Sequence, residues 1–119
     1  MEARLEERGD VIFVHLSGHI TFEAADLFRK RCFEYLEGNK VVFNLESLDF
    51  IGSSGIEPFV NAISKLSLQQ ASRVKLCSLS TEFKRVFESK TLSAGFYEDT
   101  EQAYVSFFKG AAENYQFID

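Results

Sequence analysis

Short apolar segments of strand type alternate along this chain with longer segments whose apolar residues recur at helical spacing. Residues 11–17, 41–45 and 73–77 are mostly apolar and contain β-branched side chains, which is typical of buried strands. Between them, apolar residues recur every three or four positions and predict amphipathic helices. Because parallel strands need a crossover connection, usually a helix, this alternation predicts an α/β fold with a mostly parallel sheet.

Weaker segments complete the predicted order. Residues 3–7 fit a first strand that forms an antiparallel hairpin with the second, and residues 96–97 fit a short last strand. We therefore expect a mixed sheet of four to five strands with about four helices, largely on one face. Hydroxyl side chains suited to helix caps stand at Thr21, at Ser53 or Ser54, at Ser80 or Thr81, and at Thr100. The expected helical stripes are Ala25, Phe28, Cys32, Tyr35 and Leu36; Phe59, Val60, Ile63 and Leu66; Phe83, Val86 and Phe87; and Ala103, Tyr104, Phe107 and Phe108.

Length, charge and cysteine content limit the classes of function. The 119 residues suit one domain, and the net charge of −5 comes without the basic stripe that nucleic-acid binding needs. No apolar run approaches the roughly 18 residues of a membrane span, and residues 1–10 are too charged for a signal peptide, so we expect a cytoplasmic protein. Cys32 and Cys77 lack a CxxC neighbour and are expected to be buried free thiols.

The chain offers little that would support catalysis. His15 lies within a predicted strand, where a structural or surface role fits, and His19 lies in the following loop, either in solvent or at a partner surface. Neither belongs to a recognisable nucleophile–base pair, and no spacing of His, Cys and carboxylate residues is typical of a metal site. We expect a binding and switching module that is not an enzyme and needs no cofactor.

The most informative segment is the turn Gly52-Ser53-Ser54-Gly55, which connects a buried strand to a helix. Amide groups at a helix N-terminus are unpaired and carry about half a positive charge, so a phosphate placed there is stabilised. A plain capping turn is the alternative, because Ser54 and Glu57 have the spacing of a capping box. Because Pro58 lacks an N–H and restricts the residue before it, the sequence does not decide whether the helix begins after Ser54 or nearer Glu57.

This segment resembles the STAS family, named for sulfate transporters and anti-sigma factor antagonists. The resemblance rests on the strand at 41–45, the spacer at 46–51, and Ser53-Ser54-Gly55-Ile56 leading into an apolar helix. It extends to the strand at 74–79, to Phe83-Lys84-Arg85-Val86-Phe87, to Leu92 with Gly95 and Phe96, and to the helix beginning Thr100-Glu101-Gln102-Ala103. The resemblance implies a STAS-like domain over residues 1–109, followed by a tail over residues 110–119.

In antagonists of this family, a serine at this turn is phosphorylated by a kinase that is also the anti-sigma factor. The resemblance implies that Ser53 is this serine and that unphosphorylated protein binds the kinase and releases the sigma factor. It places the partner-binding surface at Thr21, Gly52, Ser53, Ser54, Gly55 and Ile56.

Three positions depart from the family's pattern. The family usually has acidic residues before the first serine, at the end of the third strand and in the loop after the second strand, where this chain has Gly52, Asn44 and Thr21. This leaves open a non-phosphorylated subunit or scaffold that docks on a transporter ATPase or signalling complex. A third alternative is a domain that binds a nucleotide or other small molecule at the helix N-terminus. The tail at 110–119 fits packing on the domain, fraying, or joining a homodimer or partner.

Overall fold

Five strands form one mixed sheet in the computed structural model, which describes residues 1–49, 54–70, 73–88 and 95–116. The strands are β1 (Glu2–Arg8), β2 (Val11–His19), β3 (Lys40–Asp49), β4 (Val74–Cys77) and β5 (Gly95–Tyr97), and their spatial order follows their order along the chain. β1 pairs antiparallel with β2, and the remaining neighbours are parallel. This arrangement confirms the predicted hairpin and mostly parallel sheet.

The helices divide unequally between the two faces of the sheet. They are α1 (Phe22–Arg31), which continues as a wider π-helical turn at Cys32–Leu36, α2 (Ile56–Gln70), α3 (Thr81–Glu88) and α4 (Thr100–Gln116). α1, α2 and α3 bury their apolar residues against one face, whereas α4 covers the other, as expected for helices largely on one face. Among the described helices, none combines the length and apolar character needed to cross a membrane.

The main core is built around phenylalanine rings from three helices and one strand. Phe28 of α1 lies with its ring centroid 4.9 Å from that of Phe59 in α2 and 5.8 Å from that of Phe43 in β3. Phe59 in turn lies 6.3 Å from Phe83 of α3. These spacings suit offset and edge-to-face aromatic packing, so one continuous contact joins all the helices on this face.

Several details of the elements differ from their sequence patterns, and one is that Phe108 of α4, expected in a buried stripe, is 43% exposed. β3 continues four residues beyond Leu45, because its pairing with β2 resumes after a register shift between His15 and Ser17 and extends to Asp49. Tyr35, expected in the buried stripe, is 51% exposed. The π-helical turn has wider hydrogen-bonded rings than an α-helix, which rotates Tyr35 away from the stripe while Leu36 stays buried.

Candidate functional site

The carboxyl ends of β2, β3 and β4 meet at one edge of the sheet, where α1, α2 and α3 begin. The amide of Ile20 donates to the carbonyl of Asp49 at 3.1 Å, which ties the β2–α1 loop to the end of β3. Beside this link lies a cleft of about 510 Å³, lined by residues that include Leu48, Asp49 and Ser80. Crevices outside the carboxyl ends of parallel strands are the usual binding places of open α/β sheets.

Thr21 and Gly55 are in direct contact at this edge. Thr21 caps α1: its hydroxyl accepts the amide of Ala24 at 3.1 Å, and its carbonyl accepts the amide of Ala25 at 2.9 Å. A Cβ atom added at Gly55 would overlap that same carbonyl and lie 2.8 Å from Cγ2 of Ile20. Gly55 is therefore needed because the backbones of two loops approach each other closely here.

The first turn of α2 begins at this contact. The amide of Phe59 donates to the carbonyl of Gly55 at 3.1 Å, so Gly55 occupies the N-cap position and the helix begins at Ile56. Pro58 then falls in the first turn, where an N–H has no intrahelical acceptor and its absence costs little. Ser54 is exposed immediately before the cap, next to the positive end of the helix dipole.

The structure brings together the predicted site residues that it describes. Thr21 and Ser54 are exposed, Ile56 is half-buried and Gly55 is buried between them. Gly52 and Ser53 lie outside the described residues. The described members of the predicted partner surface thus lie around one contact between the β2–α1 loop and the start of α2.

Carboxylates surround this contact. Within the described residues 18–23, 48–49, 54–57 and 78–82, every Asp or Glu is exposed and no Lys or Arg occurs. The acidic residues are Glu23, Asp49, Glu57 and Glu82. A surface with one sign of charge attracts partners of the opposite sign and raises their association rate. The edge is therefore suited to a partner with a basic surface.

Phe22 is a candidate contact residue that sequence reasoning missed. It follows Thr21 directly and is 57% exposed, although it is a large aromatic side chain in the first turn of α1. Aromatic side chains near the centre of an interface commonly carry much of its binding energy. The available signal was its position outside the apolar stripe that begins at Ala25.

Asn44 does not lie at the end of β3, where the resemblance had placed it. It is five residues before Asp49 on the face that α4 covers, and its amide nitrogen lies 3.0 Å from Nδ1 of His15. His15 in turn contacts Glu6 of β1 through Nε2 at 2.9 Å, and this hydrogen bond lowers the pKa of the Glu6 carboxyl. The side chain of Asn44 therefore belongs to a cross-strand network.

The two cysteines are buried and unpaired with each other. Burial raises the pKa of the Cys32 thiol to about 12 and that of Cys77 to about 11, which keeps both protonated near neutral pH. A protonated thiol is a poor nucleophile and metal ligand. Among the residues that the structure describes, no group of three or more His, Cys, Asp or Glu residues could hold a metal ion.

Comparison with known proteins places this architecture in context. The anti-sigma factor antagonist SpoIIAA in its unphosphorylated form superposes with a TM-score of 0.64 at 16% identity, over 92% of this chain and 99% of that one. SpoIIAA from Bacillus in its phosphorylated form has a TM-score of 0.63 at 19% identity, over 91% of this chain and 100% of that one. An anti-sigma-factor antagonist (STAS) domain protein from Planctomyces limnophilus has a TM-score of 0.66 at 19% identity, over 87% of this chain and 95% of that one.

The structural matches at these identities establish the fold. No curated protein matches the sequence significantly. The sequence profile of the STAS domain, however, matches residues 2–103, which covers most of the 119 residues. It spans every strand of the sheet and the first three helices. The chain therefore belongs to the STAS domain family.

Proposed function

We propose that this protein is an anti-sigma factor antagonist that works by partner switching. In this proposal it binds an anti-sigma factor that is also a serine kinase, and phosphorylation of Ser53 releases it. The observation that carries the proposal is the packing of Gly55 against the Thr21 carbonyl, which holds the start of α2 at an exposed edge of the sheet. The overall likeness to SpoIIAA in its unphosphorylated and phosphorylated forms supports it.

The local charges suit a phosphorylation switch. A phosphoserine carries about −1.5 to −2 charges at neutral pH. In the free protein, the positive end of α2 would stabilise such a group. In a complex whose basic side chains are already paired with exposed carboxylates such as Asp49 and Glu57, the same group would add negative charge that has no partner. A charge buried there without a partner costs roughly 3–5 kcal/mol, which weakens binding a hundredfold or more.

Phosphate transfer is the direct test. The protein, Ser53→Ala and Ser54→Ala would each be incubated with ATP and a purified anti-sigma factor kinase that binds the wild-type chain, and phosphorylated peptides would be mapped by mass spectrometry. We expect one phosphate at Ser53 in the wild type and in Ser54→Ala, and none in Ser53→Ala. Phosphate on Ser54 alone would move the site, and no transfer from a kinase active on its own antagonist would exclude the switch.

Binding measurements test the second half of the proposal. We expect Ser53→Asp to weaken kinase binding, while Ser53→Ala binds as the wild type does. Equal affinity of both variants would contradict release by negative charge. Isothermal titration with ATP and GTP alone would separate this function from small-molecule binding at the helix N-terminus, since we expect no heat of binding.

A non-phosphorylated docking subunit is the second candidate, and the surroundings of two neutral positions favour it. The hydroxyl of Thr21 already accepts a hydrogen bond as the cap of α1. The Asn44 side chain contacts His15 through Nδ2, and its Oδ1 accepts the backbone N–H of Glu46 at 3.1 Å. Neither side chain supplies the carboxylate usual in the family. Stable binding to a transporter ATPase or signalling protein, together with no phosphate transfer, would support this candidate.

A further inference from the structure

β1 is the first strand in the spatial order of the sheet. Among the residues that the structure describes, it pairs with β2 alone, so one side of its backbone has no strand partner there. Most of its residues are exposed, including Glu2, Arg4 and Leu5, and only Glu6 and Arg8 are half-buried. A seven-residue edge with free amide and carbonyl groups is a template for pairing with another strand.

The charges of β1 alternate in sign along one face of this edge. Glu2, Arg4, Glu6 and Arg8 all point to the face that α4 covers, since side chains alternate along a strand and Arg8 contacts Glu101 of α4 at 3.1 Å. The sequence of signs is negative, positive, negative, positive. This order reverses sign when the strand is read backwards, so an antiparallel copy of the same strand offers the opposite charge at each position.

We infer that a second copy of this chain pairs with the first through antiparallel contact of the two β1 edges, centred on Leu5. In this register Leu5 faces Leu5 of the second copy, Arg4 faces Glu6, and Glu2 faces Arg8. Each of the four charged side chains on this face of either copy thus meets an opposite charge, whereas Glu7, on the other face, lies opposite Ala3. A two-fold axis relates the copies, as in most homodimers, and the two sheets become one.

Neighbouring registers are disfavoured by the same charges. Centring the pair on Arg4 places Arg4 against Arg4 and Glu2 against Glu6. Centring it on Glu6 places Glu6 against Glu6 and Arg4 against Arg8. Like charges directly opposite each other destabilise a strand pair. Of these three registers, only the one centred on Leu5 combines near full-length pairing with opposite charges at every position of the face that α4 covers.

The other face of β1 presents an apolar side chain at the centre of this contact. Leu5 is 54% exposed beside a recess of about 180 Å³ that Phe28, Cys32 and Tyr35 help to line. Pairing Leu5 with Leu5 would bury apolar surface that is exposed in the single chain. The charges on one face therefore select the register, and the leucines on the other face contribute hydrophobic contact.

The four charged side chains on this face of β1 differ in their ion pairs within the single chain. Within the described residues, no ion pair within 4.0 Å involves Glu2 or Arg4. Glu6 is held by His15, and Arg8 is held by Glu101, so both lie along the edge in defined positions. None of the proposed partner-switch residues belongs to β1, so this contact is separate from the proposed function and would leave both switch surfaces of a dimer accessible.

Complementary charge reversals test the register. Sedimentation equilibrium would measure the dimer dissociation constant of the wild type, Arg4→Glu, Glu6→Arg and an equimolar mixture of the two variants. Each variant alone places two like-charge pairs in the dimer, and we expect its dissociation constant to rise about tenfold or more. The mixture pairs Glu at position 4 with Arg at position 6, and we expect it to recover affinity to within about threefold of the wild type.

Two further samples keep the test decisive. Arg85→Glu makes the same charge change on an exposed residue of α3 and should leave the dissociation constant unchanged. Leu5→Cys should form a disulfide-linked dimer on mild oxidation, because directly opposed Cα atoms lie about 4.5–5.5 Å apart, whereas Ala3→Cys should not. A wild-type chain that stays monomeric at about 1 mM, a mixture that fails to recover, or linkage through Ala3→Cys in place of Leu5→Cys would overturn the inference.

Discussion

Replacing Gly55 by alanine tests the contact on which the candidate site depends. The added Cβ would overlap the Thr21 carbonyl and lie 2.8 Å from Cγ2 of Ile20, so one of the two loops must shift. Overpacking of this kind costs about 1–3 kcal/mol. Alanine is also a poorer N-cap than glycine by several tenths of a kcal/mol, a loss that roughly cancels the ~0.4–1 kcal/mol gained by restricting the unfolded chain.

We therefore expect Gly55→Ala to lower the free energy of unfolding by about 1–3 kcal/mol, or the melting temperature by about 4–15 °C for a domain of this size. Urea unfolding followed by circular dichroism would measure the loss. A shift of the Thr21 backbone should also disturb the capping of α1 and weaken partner binding, which a titration with the kinase would detect.

Gly38→Ala is the matched control. Gly38 has a φ of +84°, and a Cβ added there would have no atom within 4 Å beyond those of Gly38 and its two chain neighbours, so alanine meets conformational strain without crowding. We expect a loss of about 1–2 kcal/mol and no change in partner binding. Gly55→Ala that leaves both stability and binding at wild-type values would refute the argument from close approach.

Three further predictions concern other parts of the molecule. Thr21→Ala should destabilise the protein by about 1 kcal/mol in urea unfolding because α1 loses its cap, and Thr21→Ser should retain most of that stability. The pKa of Glu6 is lowered from 4.5, mainly by its hydrogen bond to His15. The ionised carboxylate therefore stabilises the folded state above pH 4.5, and this stabilisation is lost as the pH falls through the folded-state pKa. Glu6→Gln should therefore reduce the steepness of acid unfolding in that window, and an unchanged acid transition would contradict this. Cys32 and Cys77 should resist a thiol reagent at neutral pH until urea unfolds the chain, and rapid labelling of the native protein would count against their burial.

Local periodicity explains which elements the sequence predicted correctly. Phe59, Val60, Ile63 and Leu66 recur at helical spacing and all lie in the core, because the period of a helix dictates which side chains share a face. The strand at 41–45 was found for a similar reason, since a short run of mostly apolar residues is typical of a buried strand. Its extension to Asp49 was missed because the polar residue Glu46 lies within, and Ser47 directly after, a register shift that only the pairing with β2 creates.

The candidate site was likewise predicted from the sequence only in part. The sequence predicted a helix start capped by Ser53 or Ser54, whereas Gly55 is the N-cap in the structure. The close approach of Gly55 to Thr21 joins loops that are 34 positions apart in the chain, which no local pattern predicts. The pairing of Asn44 with His15 is equally non-local, and only the structure shows that Asn44 lies in the middle of β3 and not at its end. The exposure of Phe22 depends on how α1 packs, which no short sequence window contains.

The sequence by itself determined the alternation of strands and helices, the apolar face of each helix and the position of the Gly-Ser turn, because these depend on neighbouring residues and on fixed backbone periods. Only the tertiary structure decided which loops meet at the candidate site, which aromatic side chains remain exposed and which strands form the edges of the sheet. Those properties arise from contacts between distant segments, where backbone proximity and burial are settled by the packing of the whole domain.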